Sequence, residues 1–161
     1  MKLVLATHND GKTIEMQHAL SYLPVEVLTL KHFPQIGDIP ETGSTLLENA
    51  FIKAETVYRE TGIPSLADDT GLEIKALGGE PGVFSARYAG EQATFDDNCN
   101  KVLSKLTQTG TSDRSACFRT VIAFVNGAEN FTAKDRLMEK SLIKKLATMV
   151  LDMTPFFTTQ K

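Results

Sequence analysis

The chain opens on Lys2-Leu3-Val4-Leu5-Ala6, passes at once into the polar turn Thr7-His8-Asn9-Asp10-Gly11, and continues as a helical stretch carrying Ile14, His18 and Leu20. The first run reads as a short buried strand, and the polar cluster after it marks the turn. A chain that begins strand, loop, helix is constrained toward an α/β fold.

The rest of the sequence extends that plan. Val25 to Leu30 reads as a second strand, and Phe33 to Gly43, with Pro34 and Pro40, as a loop in which regular structure is disfavoured. Thr45 followed three residues later by Glu48 is a capping-box pattern, and Leu46, Leu47, Ala50, Ala54 and Val57 continue an apolar face to about residue 60. Pro64 to Ala67 is expected to be a short strand that ends at Asp68-Asp69, with Gly71 to Leu77 as a separate strand. Thr94 starts a helix through Val102, Leu103 and Leu106 that stops at Gly110. Ser115 to Val125 is a long strand, and Asn126-Gly127 predicts a hairpin returning over Ala128 to Ala133. The sheet is therefore expected to be mixed.

Composition narrows the classes. A chain of 161 residues, 42% hydrophobic and 23% charged, fits a globular domain. Its net charge of -3 gives no field for holding polymeric nucleic acid. No apolar run approaches membrane-spanning length or a signal sequence, so a cytoplasmic location without membrane association is expected. Cys99 and Cys117 lack metal or disulfide spacing and are expected to be ordinary buried thiols. Charge shifts late: residues 134–161 hold six basic and three acidic residues, against eleven and seventeen before them. Residues 1–133 are thus read as the main domain and 134–161 as an atypical tail, in which Leu137, Leu142, Ile143, Leu146, Met149 and Val150 fit a helical pattern.

Four constellations carry candidate chemistry. Thr7 to Thr13 lies between strand and helix, where backbone N–H groups and the helix dipole favour phosphate and Lys12 adds a charge. A plain strand-to-helix turn is the bland alternative, and Ala6 stands where a P-loop requires glycine. Asp68-Asp69-Thr70-Gly71 offers two carboxylates whose side chains diverge on an extended backbone, one for a hard cation and one for orienting water or a ligand residue. An acidic turn is the alternative there. Glu41 precedes Glu48-Asn49-Ala50 and Lys53, with Asn49 and Lys53 on one helix face; capping and a solvated lysine explain them equally well. Gly79 to Gly90 carries Ser85, Arg87 and Tyr88 in a loop or short helix.

In this order the segments resemble the inosine triphosphate pyrophosphatase family, also called Ham1-like. Thr7-His8-Asn9-Asp10-Gly11-Lys12 is similar to its phosphate loop, Glu41-Thr42-Gly43 with Glu48-Asn49-Ala50 and Lys53 to its next block, and Ala67 to Leu72 and Ser85-Ala86-Arg87-Tyr88 to the two that follow. The resemblance covers residues 1–133. It implies an elongated two-lobed α/β fold around a central mixed sheet, with the active site in the cleft between lobes, in a homodimer. It further implies hydrolysis of ITP, dITP and XTP to the monophosphate and pyrophosphate with Mg2+. Asp69 would be metal ligand and water-activating residue, Asp68 its acidic neighbour and Glu41 a second metal carboxylate. Thr7, His8, Asn9, Asp10, Gly11 and Lys12 would hold the triphosphate, with Asn49, Lys53, Thr70, Ser85 and Arg87 as further substrate-binding residues.

The family continues with a Gly-Phe-Gly-Tyr-Asp-Pro block and a Ser-His-Arg block that contacts the base, and neither occurs here. Codons AAT GGT TTT GGA TAT GAC CCC GTT TTT would encode Asn-Gly-Phe-Gly-Tyr-Asp-Pro-Val-Phe, and read one nucleotide later they would give Met149-Val150-Leu151-Asp152-Met153-Thr154-Pro155-Phe156 and the start of Phe157. A frame-shifted tail with weakened base selection is therefore expected. Two other readings remain at this stage: a nucleotide-binding remnant without turnover, and a P-loop-type NTPase.

Overall fold

The computed structural model describes residues 2–127 and, as a backbone element, 130–139. The helical pattern expected over 142–150 and the codon-shifted stretch 149–157 lie outside the described residues.

Among the described residues, six strands and three α-helices follow one another as β1 (Lys2–Leu5), α1 (Asp10–Leu20), β2 (Glu26–Thr29), α2 (Leu46–Thr61), β3 (Ser65–Ile74), β4 (Pro81–Gly82), α3 (Phe95–Gln108), β5 (Ala116–Val125) and β6 (Asn130–Glu139). Hydrogen bonding orders the sheet β2-β1-β3-β5-β6, with β4 added to β3. β1 runs parallel to β2 and to β3, whereas β3 and β4 are antiparallel. The fold is thus α/β around a mixed sheet, as expected.

The described residues fall into two compact units, the first comprising residues 2–69 and the described part of 121–134, the second Thr70–Thr120 with residues 135–139 of β6. Val4, Ala6, Leu30, Ala50, Ala54, Val57, Ala67, Ala123 and Val125 form the core of the first. The fully buried Ala50, Ala54 and Val57 recur at helical spacing on α2, and burying a side chain such as Val57 is worth about 1.5–3 kcal/mol. The second unit packs α3 through Val102 and Leu106 onto Leu72, Ile74 and Ala116.

Both long helices start as the local pattern predicts. Thr45 Oγ1 accepts the Glu48 N–H at 3.2 Å, and Glu48 Oε2 accepts the Thr45 N–H at 3.2 Å. Gly62 ends α2 with φ 64°, its N–H donating to the Tyr58 carbonyl, a left-handed cap suited to glycine. Thr94 and Asp97 repeat the reciprocal arrangement at α3.

Several expectations need correction. Asp68 and Asp69 do not end a strand: β3 continues unbroken through both, because each carboxylate is matched by a lysine and the ladder overrides the turn preference of Asp, Thr and Gly. Leu137, assigned to a helical pattern, lies in β6, which runs past Ala133. Neither cysteine is in a disulfide, but only Cys117 is buried; Cys99 is partly exposed.

Candidate active site

Asn9 sets the start of α1. Its backbone is extended, its Oδ1 accepts the Lys12 N–H at 3.0 Å, and its own N–H donates to Thr7 Oγ1 at 3.2 Å. Thr13 Oγ1 closes the turn by donating to the Asn9 carbonyl at 3.0 Å. This capped turn places Lys12 in the first turn of the helix, where the dipole is positive and anions are favoured. His8 and Asp10 are exposed, Asp10 taking Lys31 at 2.7 Å on the surface, and Gly11 is buried beneath them.

Two ion-pair groups form at Asp68 and Asp69 in the middle of β3. Lys12 Nζ lies 2.5 Å from Asp68 Oδ2, with side chains 18% and 4% exposed. Lys53 Nζ donates to Glu41 Oε1 at 2.7 Å and to Asp69 Oδ1 at 3.1 Å. Alternation along β3 separates the two aspartates onto different lysines, so the expected divergence of the acidic pair is realised in the middle of the strand.

Charge balance around Lys53 is unequal, because two carboxylates share one ammonium. Burial pushes the Asp69 carboxyl above the ordinary aspartate range, and Glu41 adds to the rise while Lys53 opposes it. Burial works against the Lys53 ammonium, yet Asp69 and Glu41 outweigh it and hold its pKa above the usual value. A lysine that stays charged beside a carboxylate made more basic by burial suits proton acceptance by that carboxylate.

Among the described residues no three His, Cys, Asp or Glu side chains gather as a metal-binding group. Magnesium needs fewer, since it commonly takes one or two protein carboxylates and fills its shell with water and phosphate oxygens. Glu41 and Asp69 are hard oxygen donors brought to one point by Lys53, so the donor set fits Mg2+ delivered with a polyphosphate.

The remaining expected residues occupy defined places. Asn49 is fully buried, its Oδ1 accepting the Gly43 N–H at 2.7 Å. Thr70, Ser85 and Arg87 belong to the second unit. There Thr70 Oγ1 lies 3.0 Å from Thr120 Oγ1, Ser85 Oγ donates to the Gly82 carbonyl and accepts the Leu72 N–H, and Arg87 sits over the Phe84 ring near Glu91.

Sequence reasoning missed Glu15. Its Oε1 is buried without a hydrogen-bond partner among the described residues, and burial, then Asp68, raises its pKa while Lys12 lowers it. Its spacing of three from Lys12 on α1 is the signal that would have found it.

The Ham1 family model matches residues 3–140. The chain is 48% identical over 125 residues to a dITP/XTP pyrophosphatase of Coxiella burnetii, covering 78% of this chain and 62% of the relative. It is 43% identical over 137 residues to one of Geobacter sulfurreducens, covering 84% and 69%. The solved structure of a HAM1 protein from Coxiella burnetii superposes with a TM-score of 0.79 at 43% identity, covering 86% of this chain and 71% of the other. The chain thus spans about three fifths of the length of the first of these relatives.

Proposed function

Because this chain belongs to the Ham1 family, we propose that it hydrolyses non-canonical purine nucleoside triphosphates, dITP, XTP and ITP, to the monophosphate and pyrophosphate in a Mg2+-dependent reaction. The observation that carries the reading is Lys53 Nζ holding Glu41 at 2.7 Å and Asp69 at 3.1 Å beside the Lys12–Asp68 pair. Two lysines and three carboxylates in one place meet the demand of a substrate with about four negative charges, which needs both cationic neutralisation and a proton acceptor.

In this reading the first turn of α1 binds the phosphates through its N–H groups and Lys12. Asp68 orients Lys12 in the unloaded site. Asp69 accepts the proton of the attacking water at its Oδ atoms, its raised pKa making it a stronger base than an ordinary aspartate. Lys53 keeps Asp69 and Glu41 at one point and neutralises part of their charge. Mg2+, when bound through Glu41 and Asp69, supplies charge neutralisation on the triphosphate and lowers the pKa of water. No covalent nucleophile on the protein is required.

The reading extends to a cytoplasmic homodimer. No helix among the described residues is long and apolar enough to cross a membrane, and light scattering of the purified chain tests the dimer. Turnover is tested by pyrophosphate release from ITP, XTP, dITP, ATP and GTP with Mg2+, beside the Asp69→Asn variant. Release lost in the variant supports the assignment; orthophosphate as the product, or release unchanged in the variant, overturns it.

A further inference from the structure

The start of α2 and the start of α3 share a pattern beyond the capping box: Thr45-Leu46-Leu47-Glu48-Asn49 and Thr94-Phe95-Asp96-Asp97-Asn98. In both, the asparagine is buried and reaches back to the segment preceding its helix. Asn98 Oδ1 accepts the Ala89 N–H at 2.6 Å and its Nδ2 donates to the Ala86 carbonyl at 3.0 Å, which ties residues 86–89 to α3. Asn49 Oδ1 likewise accepts the Gly43 N–H at 2.7 Å, while its buried Nδ2 has no hydrogen-bond partner among the described residues.

The segment before α2 is the one that carries Glu41. The amides of residues 43, 44 and 45 all donate to two adjacent α2 side chains: Gly43 to Asn49, and Ser44 and Thr45 to Glu48 at 2.6 and 3.2 Å. Glu48 is exposed and competes with water, whereas Asn49 is wholly buried, so its loss leaves the Gly43 N–H without an acceptor. Contact is close enough that a Cβ on Gly43 would meet Glu48 Cβ at 2.6 Å and Asn49 Oδ1 at 2.7 Å. One helical turn beyond Asn49, Lys53 takes the Glu41 carboxylate.

We propose that Asn49 is the positioning residue for Glu41, holding its segment on α2 at the distance from which Glu41 reaches Lys53 and Asp69. With its oxygen spent on Gly43, Asn49 acts on Glu41 through that segment. The inference rests on the reading of Glu41 and Asp69 as the metal-holding pair.

The test is calorimetric titration of Mn2+ into the full chain with a non-hydrolysable triphosphate analogue present, for Asn49→Leu, Glu41→Gln and the double variant. Asn49→Leu is expected to weaken Mn2+ binding by roughly 10–100-fold, and the double variant to bind no more weakly than Glu41→Gln alone. Asn49→Asp, which keeps an acceptor for Gly43, recovers part of the affinity. Losses that multiply in the double variant, or Mn2+ affinity that holds while the nucleotide KM rises, overturn the proposal. Gly43→Ala replaces Asn49→Leu in the cycle if the latter does not fold. Amide hydrogen exchange over residues 41–45, without metal, is expected to quicken in either variant, and unchanged exchange also overturns it. A parent chain that binds no Mn2+ sinks the functional reading, while the exchange result still decides the role of Asn49.

Discussion

Lys12 Nζ and Asp68 Oδ2 lie 2.5 Å apart, both largely shielded from water, so the lysine expected to meet a phosphate is already occupied. The Lys53 group repeats the situation with Glu41 and Asp69. In the proposed reaction a bound metal-triphosphate would exchange these partners, the lysines turning to phosphate and the carboxylates to the cation.

Metal and nucleotide are therefore expected to promote each other's binding. Calorimetry with a non-hydrolysable analogue should show Mg2+ tightening nucleotide binding by roughly 5–150-fold, the usual range of such coupling. Asp68→Asn should bind the metal-free analogue more tightly than the parent does, because Lys12 is released. Equal affinities with and without Mg2+ would remove the partner exchange.

Asp69→Asn should abolish pyrophosphate release without lowering the melting temperature at pH 7. The folded-state pKa of Asp69 is raised, so its contribution to stability is fully present below the unfolded aspartate value and is lost as pH rises through the folded value. An amide carries no such cost at neutral pH. Thermal melts from pH 4 to 8 check this: the advantage of the variant should shrink toward the acid end.

Lys53→Met should do the opposite to stability. Removing the shared ammonium leaves two carboxylates facing each other at a largely buried point, a change that costs about 3–5 kcal/mol. Any residual activity should show its acid limb moved to higher pH, because Lys53 is what opposes the rise at Asp69. A pH–rate profile with an unmoved acid limb would contradict Asp69 as the titrating base.

Gly127 has φ 83°, and a Cβ there would stand 2.1 Å from the Tyr58 hydroxyl oxygen. Gly127→Ala should cost at least about 1–2 kcal/mol from the left-handed backbone alone, read as a fall of about 2–8 °C in melting temperature. Pyrophosphate release below that temperature should persist.

The tail yields a genetic prediction. Sequencing the coding DNA should reveal Gly-Phe-Gly-Tyr-Asp-Pro codons one frame away from those of Met149 to Pro155. A variant with the frame restored should discriminate ITP from ATP more sharply than this chain does, since rejecting the wrong purine edge needs placed donors and acceptors. An in-frame gene without those codons ends the idea.

What the sequence revealed follows range along the chain. The Thr45–Glu48 box and the helix start at Thr94 were legible because their signals sit within one turn. The continuity of β3 was not, since Asp68-Asp69-Thr70-Gly71 has the composition of a turn and the lysines that neutralise its acids stand 56 and 16 positions away. Resemblance brought Glu41, Lys53 and Asp69 into one list without indicating that a single ammonium joins them. The Gly43–Asn49 bond, six positions apart across a helix start, leaves no periodic trace at all.

That bond also sets how this region can change over generations. Surface connections ordinarily absorb inserted or deleted residues at small entropic cost. Between Glu41 and Lys53 the backbone amide of Gly43 and the carboxylate of Glu41 are both tied to α2, so one added residue would put both out of register together. Drift in this stretch should proceed by replacement at positions such as Thr42, with its length held constant, while the proline-containing stretch before it varies in length.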